Sequence, residues 1–262
     1  MSANTKDNAK ISVRGLTMAY GSFVVMRNLD FDIAARDIFI IMGGSGCGKS
    51  TLLRHMIGLV EPAAGEVLYE GRNFTRAGEA ERDTLRRRFG VMYQSGALWS
   101  SLTLAENIAM PIEENTGLSG RALRDLVEYK LSLVGLAGFG EYYPSEMSGG
   151  MNKRAGIARA MALDPEILFL DEPGAGLDPL SASRLDDLIL RLRDALGSTF
   201  VIVTHELHSI MSIGSNSVFL DTSTRTQGAV GPPQQLRSGE KSSAAREFLT
   251  RGRGTGSQGT NA

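Results

Sequence analysis

Three groups of residues in this 262-residue chain have the types and spacing to do chemistry. The first runs Gly43, Gly44, Ser45, Gly46, Cys47, Gly48, Lys49, Ser50, Thr51 and fits G-x-x-x-x-G-K-[ST] over residues 43–50. Glycines at those places let backbone N–H groups converge on a phosphate chain, and a helix that follows turns its positive end toward the same anion. Lys49 would neutralise phosphate oxygens, and the Ser50 hydroxyl would suit a hard cation such as Mg²⁺. The second group is Asp171 and Glu172, directly after the apolar run EILFL. An acid at the end of a buried strand can hold a magnesium ion through water, and a second acid one residue further can orient or deprotonate an attacking water. Alone, the pair would also read as acids closing a strand before Pro173. The third group is Ser148, Gly149 and Gly150, a hydroxyl and two bare backbone amides opening a helical stretch, which together make an outward-facing anion site.

Such groups need a rigid frame. Residues 38–42 are a continuous apolar run suited to a fully buried parallel strand, and Leu52, Leu53, Met56, Ile57 and Leu59 after the glycine-rich turn carry helical spacing. The loop therefore sits between strand and helix, as the motif requires. ISVRGLTMAY and FVVMRNLDFDI alternate apolar and polar residues as half-buried strands do, and EILFL and TFVIVT read as two more buried strands. A helix over 180–196 separates those two and stops at Gly197. Across 96–163 the helical period dominates, with Thr103 and Glu106 placed as a capping box and Leu123, Leu126, Val127, Leu131 and Val134 as an apolar stripe. That region reads as an inserted helical lobe.

The bulk numbers allow one α/β domain and exclude several classes. The chain is 42% hydrophobic and 22% charged with 8 prolines, the balance of a globular protein. It has no apolar run near the roughly 18–20 residues of a membrane span. MSANTKDNAK has neither an apolar core nor a small-residue cleavage site, so a cytosolic chain is expected. A single cysteine, Cys47, excludes an internal disulfide framework. A formal charge of −1 gives no footprint for nucleic acid. Expected boundaries are a flexible N-terminus over 1–10, one domain over 11–240, and a C-terminal extension over 241–262, whose last part, RGRGTGSQGTNA, is too poor in apolar residues to order itself.

Taken in order, these motifs resemble the ABC ATPase family over residues 11–233. The stretch MSGGM at 147–151 is similar to the family signature usually written LSGGQ, which in the family contacts the γ-phosphate held by the other subunit. Met147 replaces a leucine at nearly constant volume, whereas Met151 removes an amide from the edge of the site. Tyr20 resembles the aromatic residue that stacks on adenine, and Gln94, after FGVMY, resembles the Q-loop glutamine that reaches Mg²⁺ and the hydrolytic water. Gly176, Leu177 and Asp178 look like the D-loop that crosses the dimer seam, and His205, after TFVIVT, like the switch histidine on the γ-phosphate. His55 and His208 match nothing.

The resemblance implies a P-loop NTPase of ABC ATPase type, with a parallel-sheet core, an N-terminal antiparallel β subdomain and an inserted helical lobe. It implies ATP held by Tyr20 and 43–51, Mg²⁺ held by Ser50, Gln94 and, through water, Asp171, and hydrolysis by Glu172, His205 and Gln94. It also implies head-to-tail pairing of two copies, since one chain is not expected to fold its signature onto its own glycine-rich loop. QSGALW, SEMSGGMNKRAGIARA and DEPGAGLDP are closer to the Mla-type lipid-trafficking ATPases, which pair with an integral permease and an MCE-domain lipid-binding protein to move phospholipid between envelope membranes, the ATPase itself lying peripheral on the cytoplasmic face of the inner membrane. Leu98, Trp99 and Leu102 would then meet the permease, the lesser alternative being that Trp99 caps the lobe's own core. An ABC importer for another solute and a soluble ABC ATPase are the alternatives; a P-loop kinase or GTPase would lack MSGGM and the trailing histidine. Cys47, between a helix end and Lys49, is expected to have a lowered thiol pKa and to be reactive.

Overall fold

The computed structural model describes residues 9–94, 98–239 and 242–250. The chain opens with a long antiparallel hairpin, β1 (Ala9–Tyr20) and β2 (Phe23–Ala34), whose alternation buries Ile11, Val13, Leu16 and Met18. Ala9 and Lys10, expected in the flexible tail, already pair in β1, and the rest of that tail, residues 1–8, lies outside the described residues. The next strand, β3 (Ile38–Gly43), leaves this sheet for another. Then β4 (Ala64–Tyr69) and the short β5 (Arg72–Asn73) return to complete an antiparallel order β2-β1-β4-β5.

The second sheet has the order β10-β9-β3-β8-β7-β6 among the described residues. Its members β6 (Phe89–Met92), β7 (Ile167–Asp171), β8 (Thr199–Val203) and β9 (Asn216–Asp221) run parallel with β3, and β10 (Thr226–Val230) closes one edge antiparallel to β9. Every residue of β3, β7 and β8 is buried, as the continuous apolar runs require. Alternation along these strands splits the interior in two. Ile38, Ile40 and Met42 face a core shared with the helices, while Phe39 and Ile41 face a core shared with the antiparallel sheet.

Between β3 and β4 lies α1 (Lys49–Met56), and between β5 and β6 lies α2 (Glu79–Arg86). Leu59 does not continue the apolar stripe of α1: the helix closes at Ile57, Gly58 takes a φ of 73°, and Leu59 turns out, 59% exposed. Among the described residues three α-helices then separate β6 from β7: α3 (Leu104–Asn115), α4 (Gly120–Leu133) and α5 (Gly149–Ala160), with a 3-10 turn at Pro144–Glu146 before the last. The capping box at α3 is complete, with Glu106 N–H donating to Thr103 Oγ1 at 3.2 Å and Thr103 N–H donating to Glu106 Oε2 at 2.7 Å. Leu123, Val127, Leu131 and Val134 are buried and Leu126 packs beside them. After β7 comes α6 (Pro179–Leu196), ended by Gly197 at φ 68°, and then α7 (Leu207–Ile213), α8 (Pro233–Ser238) and α9 (Ser243–Thr250). Phe248 of α9 packs on Phe219 of β9 with ring centroids 5.5 Å apart, so the start of the expected extension is docked on the sheet. The expected disordered end, residues 251–262, lies outside the described residues.

Candidate functional site

The glycine-rich loop leaves the buried end of β3 and enters α1 at Lys49. Two of its glycines cannot be replaced without a collision. Gly43 has φ 155° and a Cβ there would lie 2.7 Å from Cys47 Sγ and 2.8 Å from the Leu220 carbonyl oxygen. Gly48 has φ 93° and a Cβ there would lie 2.8 Å from Val25 Cγ1. The loop is therefore pressed against β2 and β9, leaving its outer side free to approach a ligand. Lys49 is 8% exposed and its ammonium donates to the carbonyl oxygens of Gly43 and Gly44, both at 3.1 Å, which holds the positive charge under the loop.

Ser50 Oγ donates to Asp171 Oδ1 at 3.0 Å, joining the start of α1 to the end of β7. Burial pushes the Asp171 carboxyl above its ordinary value, and the Ser50 hydrogen bond pulls the other way. One residue on, Glu172 takes φ 50° while its N–H donates to the Val203 carbonyl at 2.8 Å, so the end of β8 fixes its backbone. Its Oε1 and His205 Nδ1 are 2.8 Å apart, and its Oε2 is buried with no hydrogen-bond partner. The left-handed backbone turn aims the glutamate out of the strand line toward the loop, and conformations of this kind cost on the order of 1–3 kcal/mol and persist where surrounding structure enforces them.

These residues share one cavity of about 520 Å³. Its base and one wall are Ser45, Gly46, Gly48, Lys49, Ser50 and Thr51; Gln94, Glu172 and His205 form the opposite wall. Tyr20 and Phe23 flank its mouth, 51% and 58% exposed, with Val25 beside them. Phe23 was not singled out from the sequence. It faces Tyr20 across the β1–β2 turn, and together the two rings offer flat apolar surface for a heterocycle. Gly43, Gly44 and Asp171 stand behind this lining and act on it through Lys49 and Ser50. No group of three or more His, Cys, Asp or Glu residues among the described residues could hold a metal.

Ser148 caps α5, its Oγ accepting from Met151 N–H at 3.2 Å, and Ser148 and Gly149 are exposed. Ser148, Gly150 and Met151 line a different cavity, of about 580 Å³, which shares no residue with the first. Within one chain the signature and the glycine-rich loop do not meet. Met147 and Met151 both pack against the helical core. Asp178 is the N-cap of α6, its carboxylate accepting from Leu180 and Ser181 N–H at 3.1 and 3.0 Å. Trp99 does not cap the lobe: Leu98 packs on the core while Trp99 is 55% exposed, its backbone held by the Asn107 side chain. His55 is buried against the Val60 carbonyl, and burial lowers its pKa, in keeping with the absence of any motif around it.

The family described as ABC transporter matches residues 26–175. The chain is 41% identical over 203 residues to the intermembrane phospholipid transport system ATP-binding protein MlaF of Haemophilus influenzae, covering 78% of this chain and 77% of that protein. It is 40% identical over 206 residues to the probable ribonucleotide transport ATP-binding protein mkl of Mycobacterium leprae, covering 79% of this chain and 59% of that protein. The chain thus spans under two thirds of the length of the mycobacterial relative. Among solved structures, the dimeric ATP-binding cassette MJ0796, in a post-hydrolysis state bound to ADP and Pi, superposes with a TM-score of 0.75 at 28% identity over 84% of this chain and 97% of that one.

Cys47 overturns the expectation of a reactive thiol. It is 1% exposed behind the loop, and burial raises its pKa despite the opposing charge of Lys49. A raised pKa leaves less thiolate at any working pH, and the thiolate is the species that reacts. Native Cys47 should therefore alkylate at least ~100-fold more slowly than the unfolded chain, at a rate set by opening of the structure. Iodoacetamide labelling at pH 8 with and without denaturant measures this; equal rates would mean that the thiol is accessible.

Proposed function

The chain belongs to the ABC transporter family of ATP-binding proteins, and on that premise we propose that it binds and hydrolyses ATP to drive a membrane transporter, working as one half of a head-to-tail pair. The observation that carries the reading is the division of labour between the two cavities. One is lined by the loop with Lys49, by Glu172 and by His205; the other is lined by Ser148 and Gly150 at the N-terminus of α5, and the two share no residue. Two copies placed head to tail bring Ser148 of each against the phosphates held by Lys49 of the other. The dimeric form of MJ0796 supports that pairing.

In this reading the adenine stacks at Tyr20 and Phe23, the phosphates lie along 43–51, and Lys49 turns from the loop carbonyls to the β- and γ-oxygens. Ser50 and Asp171 set two hard oxygens 3.0 Å apart at the base of the loop, a donor set that fits Mg²⁺, with Gln94 on the facing wall. Bound there, Mg²⁺ would neutralise charge on the phosphates. Glu172 lines the cavity with Oε1 on His205 and Oε2 buried without a partner, so its carboxylate is the group that takes a proton from the attacking water. His205, 59% exposed at the cavity wall, faces the γ-phosphate. Asp178 fixes the start of α6 and with it the loop at the seam between copies.

The transported substrate is a phospholipid in this reading, as the name of the MlaF relative supports, and that relative is matched over more of its length than the mycobacterial one. Transport of another solute is the second reading, favoured by the ribonucleotide name of mkl. No helix among the described residues is long and apolar enough to cross a membrane. In this reading the chain works through an integral permease, peripheral on the cytoplasmic face of the inner membrane, with an MCE-domain protein as further partner, which the transport-system name of the MlaF relative supports. Exposed Trp99, seated beside Gln94 in sequence, is the docking anchor.

Two experiments test this. Glu172→Gln keeps shape and loses the base, so ATP binding should persist while turnover falls about 10²–10⁴-fold and an ATP-closed dimer accumulates in light scattering, whereas Lys49→Ala fails at binding. Near-normal turnover in Glu172→Gln would remove the residue from catalysis. Trp99→Ala should keep ATP affinity and lose ~2 kcal/mol of permease binding in pull-downs from membranes, with wild type bringing down a complex that carries phospholipid. Undiminished recovery of the permease would take Trp99 out of the interface.

A further inference from the structure

Lys153 belongs to none of the motifs, yet it joins three of them: the helix opened by Ser148, the backbone of Gln94 and the backbone of Glu172. It lies on α5, just over one turn past the Ser148 cap, and is 9% exposed. Its ammonium donates to two backbone carbonyls on separate segments: that of Gln94, and that of Glu172 at 3.3 Å. Three carboxylates, Glu172, Glu206 and Asp171, act on it electrostatically, and burial pushes its pKa below the ordinary lysine value while their charges push back. A buried ammonium is costly unless it is paired and hydrogen-bonded. This one is hydrogen-bonded to two carbonyl oxygens within the field of three carboxylates, and its partners are the backbones of the two segments that carry the water-handling side chains.

We propose that Lys153 is a positioning residue that couples the two halves of the composite site: it ties the helix opened by Ser148 to the carbonyls of Gln94 and Glu172, so that docking of the opposing γ-phosphate at Ser148 sets where Glu172 stands. The argument is geometric. A helix is stiff over one turn, so a force at the Ser148 cap reaches Lys153 without loss, and Lys153 reaches Glu172 through its main chain and not through the carboxylate. The Glu172 side chain is left to His205 and the water. A misplacement of the base by about 1 Å can cost on the order of 10²-fold in rate, so a backbone tether at this point has leverage out of proportion to its single hydrogen bond. The inference rests on the proposed role of Glu172 and adds to it the route by which the second copy controls that residue.

The test uses Lys153→Met, which keeps length and apolar bulk and removes the donors and the charge, beside Lys153→Arg, which keeps both. Steady-state hydrolysis by the assembled complex should show kcat down about 10- to 100-fold in Lys153→Met with KM for ATP changed less than about threefold. Lys153→Arg should recover most of the rate. In the Glu172→Gln background, single-turnover hydrolysis should fall less than about twofold further on adding Lys153→Met, because a residue that acts through Glu172 has nothing left to position. Thermal melting is recorded throughout, and if Lys153→Met melts below the assay temperature Lys153→Gln, which keeps one donor without the charge, replaces it in the same cycle. Wild-type kcat in the substituted protein overturns the inference, as does a loss that multiplies undiminished in the Glu172→Gln background, the mark of an independent structural lesion. A wild-type complex that hydrolyses no ATP would overturn the parent reading as well, so the two failures are distinguishable.

Discussion

The register of three parallel strands governs everything in this protein. Ile41 of β3, Val203 of β8 and Asp171 of β7 lie side by side across the sheet. Two residues beyond Ile41 the glycine-rich loop begins, one beyond Asp171 stands Glu172, and two beyond Val203 stands His205. Because all three strands run the same way, their C-terminal ends deliver phosphate cradle, acids and histidine to one edge, the edge where open α/β sheets hold ligands. A slip of one residue in any strand would turn its inward set of side chains to the other face and withdraw its contribution to the site. Full burial of the strands on both faces is what makes such a slip expensive.

That edge concentrates charge where the sheet excludes water. Lys49 lies beneath the loop and Lys153 donates to the Glu172 carbonyl, so two buried ammonium groups act on the region of Asp171 and Glu172. Each ammonium rests on carbonyl oxygens, and on the proposed reading the loop contributes only part of the donor set around the phosphates. The helix N-terminus able to supply the remaining donors lines the second cavity, which shares no residue with the first. On the proposed reading, a site divided in this way is complete only when another copy is present, and hydrolysis and association become a single event.

Much of this was legible in the sequence because the residues concerned are local. The glycine-rich turn, the acid pair, the helix-opening Ser148 and the Thr103 capping box each announce themselves within a few residues. Continuous apolar runs located β3, β7 and β8, since strands buried on both faces have no alternation to lose. What depends on tertiary contact was out of reach. The strands β4 and β5 and the polar helix α2 have no distinctive period, and β10 is only half-buried. Leu59 kept the spacing of α1 past the point where Gly58 had ended it. Cys47 was judged by its neighbours in sequence, Lys49 and the helix end, whereas desolvation decided its chemistry. Phe23 gained meaning only once the hairpin set it opposite Tyr20, and Lys153 only once α5 lay across the ends of β6 and β7.

The central claim is that one ATP is held by Lys49 of one copy and Ser148 of the other. Mixing two inactive variants tests it directly. Lys49→Ala removes the phosphate lysine, and Ser148→Glu sets a negative charge where the opposing phosphate docks. A mixed pair of the two would contain one site with both residues intact and one with neither. If sites are shared between copies, an equimolar mixture should regain on the order of a quarter of wild-type hydrolysis, since random pairing makes half the dimers mixed and each has one good site. A mixture no more active than its separate components would contradict the shared site and return catalysis to the single chain.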